Sequence, residues 1–380
     1  MKRSIAISLP STGEEEWQAC REPLMSGWLT QGPKVAEFEK AFGERHQVQH
    51  ALAVTSCTTG LHLALAAIGV GPGDEVIVPA FTWVATANVV LYTGATPVFV
   101  DIDPVTFNLD IEQTARKVTP RTRAVIAVHL FGLSADIDAL REVLPAGIAI
   151  VEDAACAAGA DLRGKPVGSL GNVAAFSFHP RKSVTTGEGG MVTTNDPDLA
   201  ERMNQLRNHG ASISEEQRHQ GPRPHLLPDF ELLGFNYRMT DLQGAVGVVQ
   251  LRKLDGFIDE RAKWAAWYAD ALSDIAWLRL PSSPADTRHG WQAFVTRVDP
   301  LRAPMSRNEI MDHMHQQGIA TRPGTHAVHM LAYYRDRFDL APEDFPGARD
   351  ANDNSMAIPL HNRMTADDYE YVAAVLRDID

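Results

Sequence analysis

Five short apolar runs, Ala51 to Val54, Glu75 to Pro79, Pro97 to Asp101, Ala124 to Leu130 and Ile148 to Glu152, recur along the first half of the chain with helical stretches between them. This alternation restricts the fold to the α/β class, because parallel strands need long crossovers and a helix is the usual one. In a mainly parallel sheet, ligands gather at the carboxyl ends of the strands. The residues that follow each run are therefore the ones to read for chemistry. At 380 residues the chain exceeds the size at which single cores usually split, so two domains are expected. The boundary is placed after GFNYRMTD, giving a large domain at 1–245 and a smaller C-terminal α/β domain at 246–380.

The most informative of these strand exits is Phe176 to Gly190, FSFHPRKSVTTGEGG. Val173 to Phe178 is apolar and aromatic enough to be a buried strand, so Lys182 emerges just past a strand end. A lysine held there is partly desolvated, and its amine becomes a nucleophile toward an aldehyde. Proteins hold pyridoxal phosphate as a Schiff base in this way. Such a site needs an acid for the pyridine nitrogen, donors for the phosphate and a flat side chain for the ring.

Each companion has a candidate. IAIVEDAA ends a strand in Asp153, whose carboxylate would keep a pyridine nitrogen protonated; a plain strand-end turn residue is the competing reading. Glu152 alternates to the other side of that strand and receives no role. VTSCTTGLHLAL reads as a strand leaving through Ser56, Thr58 and Thr59 into an amphipathic helix. Free N–H groups at a helix start form an anion site. Capping by Thr58 or Thr59 is compatible with that role. Ser177 is a further donor, and Trp83, after a buried strand, either stacks on the ring or joins the core.

With these residues in view, the chain resembles the DegT/DnrJ/EryC1/StrS family of pyridoxal phosphate dependent sugar aminotransferases, within fold type I. The likeness runs nearly end to end, through SGWLTQGP, GPGDEVIVPAFTWVATAN, ATPVFVDID, VHLFG, VEDAAC, FSFHPRKSVTTGEGG, GFNYRMTD and the closing IPLH. The resemblance implies Lys182 as the Schiff base lysine, Asp153 as the partner of the pyridine nitrogen and Trp83 as the stacking aromatic. It also implies that Thr58, Thr59 and Ser177 bind phosphate. Asn236 is similar to an asparagine that crosses from the neighbouring subunit to the cofactor phosphate, which implies a homodimer with shared active sites. Where many members place Gln or His three residues after the aspartate, to reach the ring hydroxyl, this chain has Cys156, a poor donor.

The implied activity is transfer of an amino group from glutamate, which leaves as 2-oxoglutarate, to a nucleotide-linked keto-deoxysugar, with a 4-keto sugar favoured. Pyridoxamine 5'-phosphate would be the form that carries the amine between the two halves. A pyridoxal phosphate dependent sugar dehydratase, a cyclitol aminotransferase and a non-catalytic cofactor-binding regulator are the alternatives. Some dehydratase relatives carry His where Lys182 stands, so the retained lysine favours transamination. Substrate-side candidates are Thr30, Arg238, Thr325, His326 and His329; a turn, an ion pair or a structural loop accounts for each equally simply.

Composition narrows the partners. A formal charge of −13 argues against binding nucleic acid or acidic membranes, which depends on Lys and Arg neutralising phosphates. No run reaches membrane-spanning length and MKRSIAISLP is too short in its apolar part for a signal peptide, so a cytoplasmic protein is expected. Cys20, Cys57 and Cys156 show no metal-ligand spacing and read as reduced thiols. Residues 211–233 are polar and long for a connector, and read as a surface loop or lid.

Overall fold

The computed structural model describes residues 3–213, 225 and 227–379. Residues 214–224 and 226 of the expected surface loop lie outside the described residues. The central sheet contains β1 (His50–Val54), β2 (Glu75–Pro79), β3 (Thr96–Val100), β4 (Thr122–Val128), β5 (Ala149–Asp153), β6 (Val173–Ser177) and β7 (Gly190–Thr194). Their spatial order is β1-β7-β6-β5-β4-β2-β3. β7 runs antiparallel to both neighbours, and every other pair is parallel.

The alternation of side chains along each strand divides the core in two. Val76, Val78, Ile126, Val151 and Ala175 face one cluster. Ile77, Val125, Ala127, Ile150 and Phe176 face the other. Helices α1 (Pro33–His46), α2 (Cys57–Ile68), α3 (Ala85–Tyr92), α4 (Pro197–Arg207) and α5 (Asp241–Ala271) cover the two faces. α2, α3 and α4 pack on the first face, and α1 with the first half of α5 packs on the second. A sheet covered on both sides needs the near-continuous apolar strands that the sequence supplies.

A second, antiparallel sheet joins β8 (Leu278–Arg279), β9 (Phe294–Val298) and β10 (Ser355–Ile358). Ala265, Tyr268 and Ala271 from the far half of α5 enter its core together with Tyr369, Val372 and Leu376 of helix α6 (Ala366–Arg377). The sequence pattern of 241–272 suggests two helices, whereas the structure has one of 31 residues. Gly256, where a break would separate two helices, is exposed and sits mid-helix. Its penalty of about 1 kcal/mol is small beside the two packed flanks. The sequence of 318–329 reads as a strand followed by a histidine loop, but no continuous strand forms there: Pro323 has no N–H to give a ladder and Gly324 follows it. The segment makes single bridges instead, Ile319 with Ile5 and Arg322 with Ala357, and then pairs His326–Ala327 with Thr82 and Phe81. Among the described residues no helix is long and apolar enough to cross a membrane.

Candidate active site

A cavity of about 280 Å³ opens at the carboxyl ends of β4, β5 and β6. Lys182 enters it from the connection between β6 and β7, two adjacent antiparallel strands, so both ends of its loop are fixed in one sheet. Phe178 N–H donates to the Gly189 carbonyl at 2.9 Å, and the Phe178 carbonyl accepts from Thr185 Oγ1 at 2.8 Å and Thr186 N–H at 3.0 Å. Gln250 on α5 accepts from Thr185 N–H at 3.2 Å. The loop returns close over the start of α2. A Cβ on Gly190 would lie 2.6 Å from the Ser56 backbone carbon, so a side chain there is excluded. These restraints leave Lys182 half-buried, its Nζ donating to Cys156 Sγ at 3.1 Å.

Asp153, the last residue of β5, is 5% exposed and lines the same cavity. Its Oδ2 accepts from Thr86 Oγ1 at 2.8 Å and its Oδ1 from Ala155 N–H at 3.2 Å. Cys57 Sγ stands 3.8 Å from Oδ1. Burial, and then the charge of Asp153, push the Cys57 thiol well above its ordinary pKa, so it stays protonated. Glu152 points the other way, as strand alternation requires. Both its oxygens are used: Gly168 N–H and His129 Nε2 reach Oε2 at 2.9 Å each, while Leu170 and Gly171 N–H reach Oε1. Glu152 thus ties the 168–171 turn and His129 to the strand that carries Asp153.

A corner of open donors forms at the start of α2. Ser56 is its N-cap, accepting from Thr59 N–H at 3.1 Å while Thr59 Oγ1 accepts from Ser56 N–H at 3.0 Å. This reciprocal cap occupies Thr59, whose hydroxyl also donates to the Ser56 carbonyl. Among the described residues the N–H groups of Cys57 and Thr58 and the Thr58 hydroxyl have no hydrogen-bond partner. Ser56, Thr58 and Ser177 line the cavity around them, and Thr59 is not among its lining residues.

The other candidates separate. Trp83 lines the cavity, 60% exposed, with its ring 5.5 Å from that of His326. Cys156 and Thr325 also line it. His326 is exposed behind Trp83. His329 is fully buried instead, 4.8 Å from the Phe345 ring, with Nε2 beside the Pro342 carbonyl at 3.4 Å. Thr30 is exposed and its carbonyl accepts from Asp241 N–H at 3.2 Å. Asn236 is exposed where its segment runs along Asn208, and Arg238 Nη1 donates to Asn208 Oδ1 at 2.6 Å. Neither lines the cavity. Sequence reading missed Thr86, Gln292, Arg181 and Arg322, all at or against this site. Thr86, whose hydroxyl lies 3.1 Å from that of Thr82, falls within a run whose small residues look like ordinary helix.

The family model of the DegT/DnrJ/EryC1/StrS aminotransferases matches residues 10–377. The chain belongs to this family. It is 41% identical over 377 residues to the spore coat polysaccharide biosynthesis protein SpsC of Bacillus subtilis, covering 99% of this chain and 97% of that one. Among solved structures, this member of the aminotransferase family superposes on a Streptococcus pneumoniae protein in its PMP-form with a TM-score of 0.92 at 28% identity, covering 99% of both chains. It superposes on Helicobacter pylori PseC, an aminotransferase involved in the biosynthesis of pseudoaminic acid, with a TM-score of 0.91 at 26% identity and the same coverage. The family match accords with an α/β fold whose strand ends carry Lys182 and Asp153.

Proposed function

We propose that this family member is a pyridoxal 5'-phosphate dependent aminotransferase that converts a nucleotide-linked keto-deoxysugar, a 4-keto sugar being favoured, to an aminosugar with glutamate as donor. The observation that carries this reading is the convergence of Lys182, Asp153 and the open N–H groups at the start of α2 on one cavity. The residues fit the cofactor: a buried carboxylate held by Thr86 for a cationic ring nitrogen, unpartnered donors for a phosphate, and an amine on a restrained loop. The Streptococcus pneumoniae neighbour has been solved in PLP- and PMP-forms, which supports the assignment. When bound, pyridoxal phosphate supplies an aldehyde and a protonated ring that takes up the electron pair left as a Cα–H bond breaks.

The chain's own residues then divide the work. Ser56, Thr58, Ser177 and the α2 N-terminus hold the phosphate. Trp83 covers one face of the ring. Asp153 keeps the ring nitrogen protonated, and Thr86 and Ala155 N–H hold the carboxylate in place. Lys182 takes the proton from the donor Cα in the first half and returns one to the sugar carbon in the second. Across both halves the donor's amine replaces the sugar's carbonyl oxygen, and 2-oxoglutarate leaves with an oxygen in place of the amine. A homodimer completes the site through Asn236 of the other copy. The exposed Leu227, Phe230 and Leu233 just before Asn236 support a covering chain.

The test has two parts. Glutamate added to the cofactor-loaded protein is expected to shift its visible absorbance, and a panel of nucleotide-linked 3-keto and 4-keto sugars to restore it with formation of one aminosugar. Lys182→Ala is expected to lower turnover by at least about 10³-fold. Aminosugar formed by Lys182→Ala at the wild-type rate, or no spectral response to glutamate, refutes the reading.

A further inference from the structure

Lys182 is held from outside its own loop as well as within it. The peptide that joins it to Arg181 is fixed at both ends: Lys182 N–H donates to the His179 carbonyl at 2.9 Å, and the Arg181 carbonyl accepts from Gln292 Nε2 at 2.9 Å. On the other side of the lysine, Ser183 Oγ accepts from Arg261 Nη1 at 3.3 Å. Neither donor belongs to the β6–β7 connection. Gln292 stands just before β9 of the second sheet, and Arg261 lies in the far half of α5.

Gln292 is itself firmly seated. It is buried, and its N–H and that of Ala293 donate to the Phe131 carbonyl at 3.1 and 3.4 Å, while Gly290 N–H donates to the Gly132 carbonyl at 2.8 Å. A Cβ on Gly132 would lie 2.9 Å from the Trp291 nitrogen, so the two segments interlock. Phe131 and Trp291, on opposite sides of this seam, take φ values of 58° and 42°. Side chains rarely adopt that left-handed backbone, and it persists where the surroundings over-determine it.

Arg261 is a buried cation that the proposed chemistry does not use. It is 3% exposed, and burial lowers its pKa to about 10. Among the described residues no carboxylate pairs with it directly. Glu260 reaches it through Asn362, whose Oδ1 accepts from Arg261 Nε at 2.8 Å and whose Nδ2 donates to Glu260 at 2.7 Å. An enclosed charge without a direct counterion is costly, so its remaining donors need strong use. Nη1 serves Ser183 and also the Trp291 carbonyl, at 3.3 Å each. One guanidinium thus ties the residue after Lys182 to the residue before Gln292.

A lysine amine rides on a flexible stem, so its aim depends on a still backbone beneath it, and a small misplacement of a reacting group is expensive in rate. We propose that Gln292 and Arg261 are positioning residues for Lys182, a brace from the second sheet and α5 that sets the direction in which its amine enters the cavity. The inference rests on the reading of Lys182 as the residue that joins the cofactor.

Two forms of the cofactor separate aim from fit. Pyridoxal 5'-phosphate is joined by Lys182, Nζ bonding to the aldehyde carbon while the aldehyde oxygen leaves as water; pyridoxamine 5'-phosphate fills the same site with no bond to lysine. Full-length protein freed of cofactor is mixed with each. Attachment is followed by visible absorbance and located by borohydride reduction and peptide mass, and pyridoxamine 5'-phosphate binding is measured by calorimetry. In Gln292→Met, which keeps the volume and removes the donor, the attachment rate is expected to fall about tenfold while pyridoxamine 5'-phosphate affinity stays within about threefold of wild type. Ser183→Ala releases the grip of Arg261 without disturbing the buried arginine, and is expected to slow attachment about threefold. Attachment at the wild-type rate in either variant, or attachment and pyridoxamine 5'-phosphate binding weakened to the same extent, overturns the proposal. Wild-type protein that takes pyridoxal 5'-phosphate on another lysine, or not at all, instead overturns the reading of Lys182 on which it stands.

Discussion

On the sheet side of the cavity, Asp153 accepts from Thr86 and Ala155, Ser56 and Thr59 cap each other, and Glu152 behind them accepts four hydrogen bonds. On the side facing the second sheet, Arg322 has a buried Nε with no partner among the described residues, and Arg181 faces solvent. Each wall suits its task. A carboxylate that must stay charged and aimed is held by donors before any ligand arrives, which lowers the reorganisation needed during reaction. A group that exchanges ligands must leave its donors open. A fixed cofactor on the first wall and transient substrates on the second would follow from this division.

Breaking the first wall should have the largest effect. Asp153→Asn removes the charge proposed to face the ring nitrogen while preserving shape, and turnover is expected to fall by about 10²-fold or more in steady-state assays. Thr86→Val, which removes one of its donors, is expected to cost about tenfold, in keeping with one hydrogen bond to a charged group. An unchanged Asp153→Asn enzyme would erase the distinction between the walls.

Glu152→Gln tests the layer beneath. Its amide would face N–H donors that the carboxylate now accepts, and unfolding in denaturant is expected to show a loss of about 2–4 kcal/mol. A loss below 1 kcal/mol would mean the turn at 168–171 is held by other contacts.

Near neutral pH the smallest effect is a pH slope away from both walls, which grows only as the medium is acidified. His46, stacked on Phe42 at 4.0 Å with Nδ1 donating to the Phe42 carbonyl, has its pKa lowered to about 3 by burial. His289, stacked on Trp291 at 3.9 Å, is lowered to about 3 by the same cause. Between the ordinary value of 6.5 and about 3 the unfolded chain binds protons at these sites that the folded chain does not. Their contribution to stability is therefore complete above 6.5 and lost as pH falls toward 3, with a slope of about 1.4 kcal/mol per pH unit for each histidine. His46→Phe is expected to remove one histidine's part of that slope in unfolding titrations.

Much of the sheet-side wall was legible in the sequence, because strand ends announce themselves. Lys182, Asp153 and Ser56 each follow an apolar run, and a parallel sheet brings such exits together. Thr86 was not legible, since one hydroxyl in a helix of small residues carries no periodic signal. β7 escaped notice because it opens on Gly190, and its place depends on pairing with β1, remote in sequence. Arg322 was missed for a different reason: a lone arginine beside a proline looks like surface, and its enclosure arises from β10, some thirty residues later. The role of Glu152 was likewise hidden, although its direction along the strand was foreseen.

The long helix α5 has a consequence for how the molecule comes apart. At 31 residues it spans about 46 Å as a single rod. Leu251 and Leu254 in its first half plug the core under the large sheet, and Tyr268 near its far end plugs the core of the small one. Neither core can melt without uncovering a spine that the other also needs. Heating should therefore give one shared transition, and fragments cut at 245 should fail to fold separately.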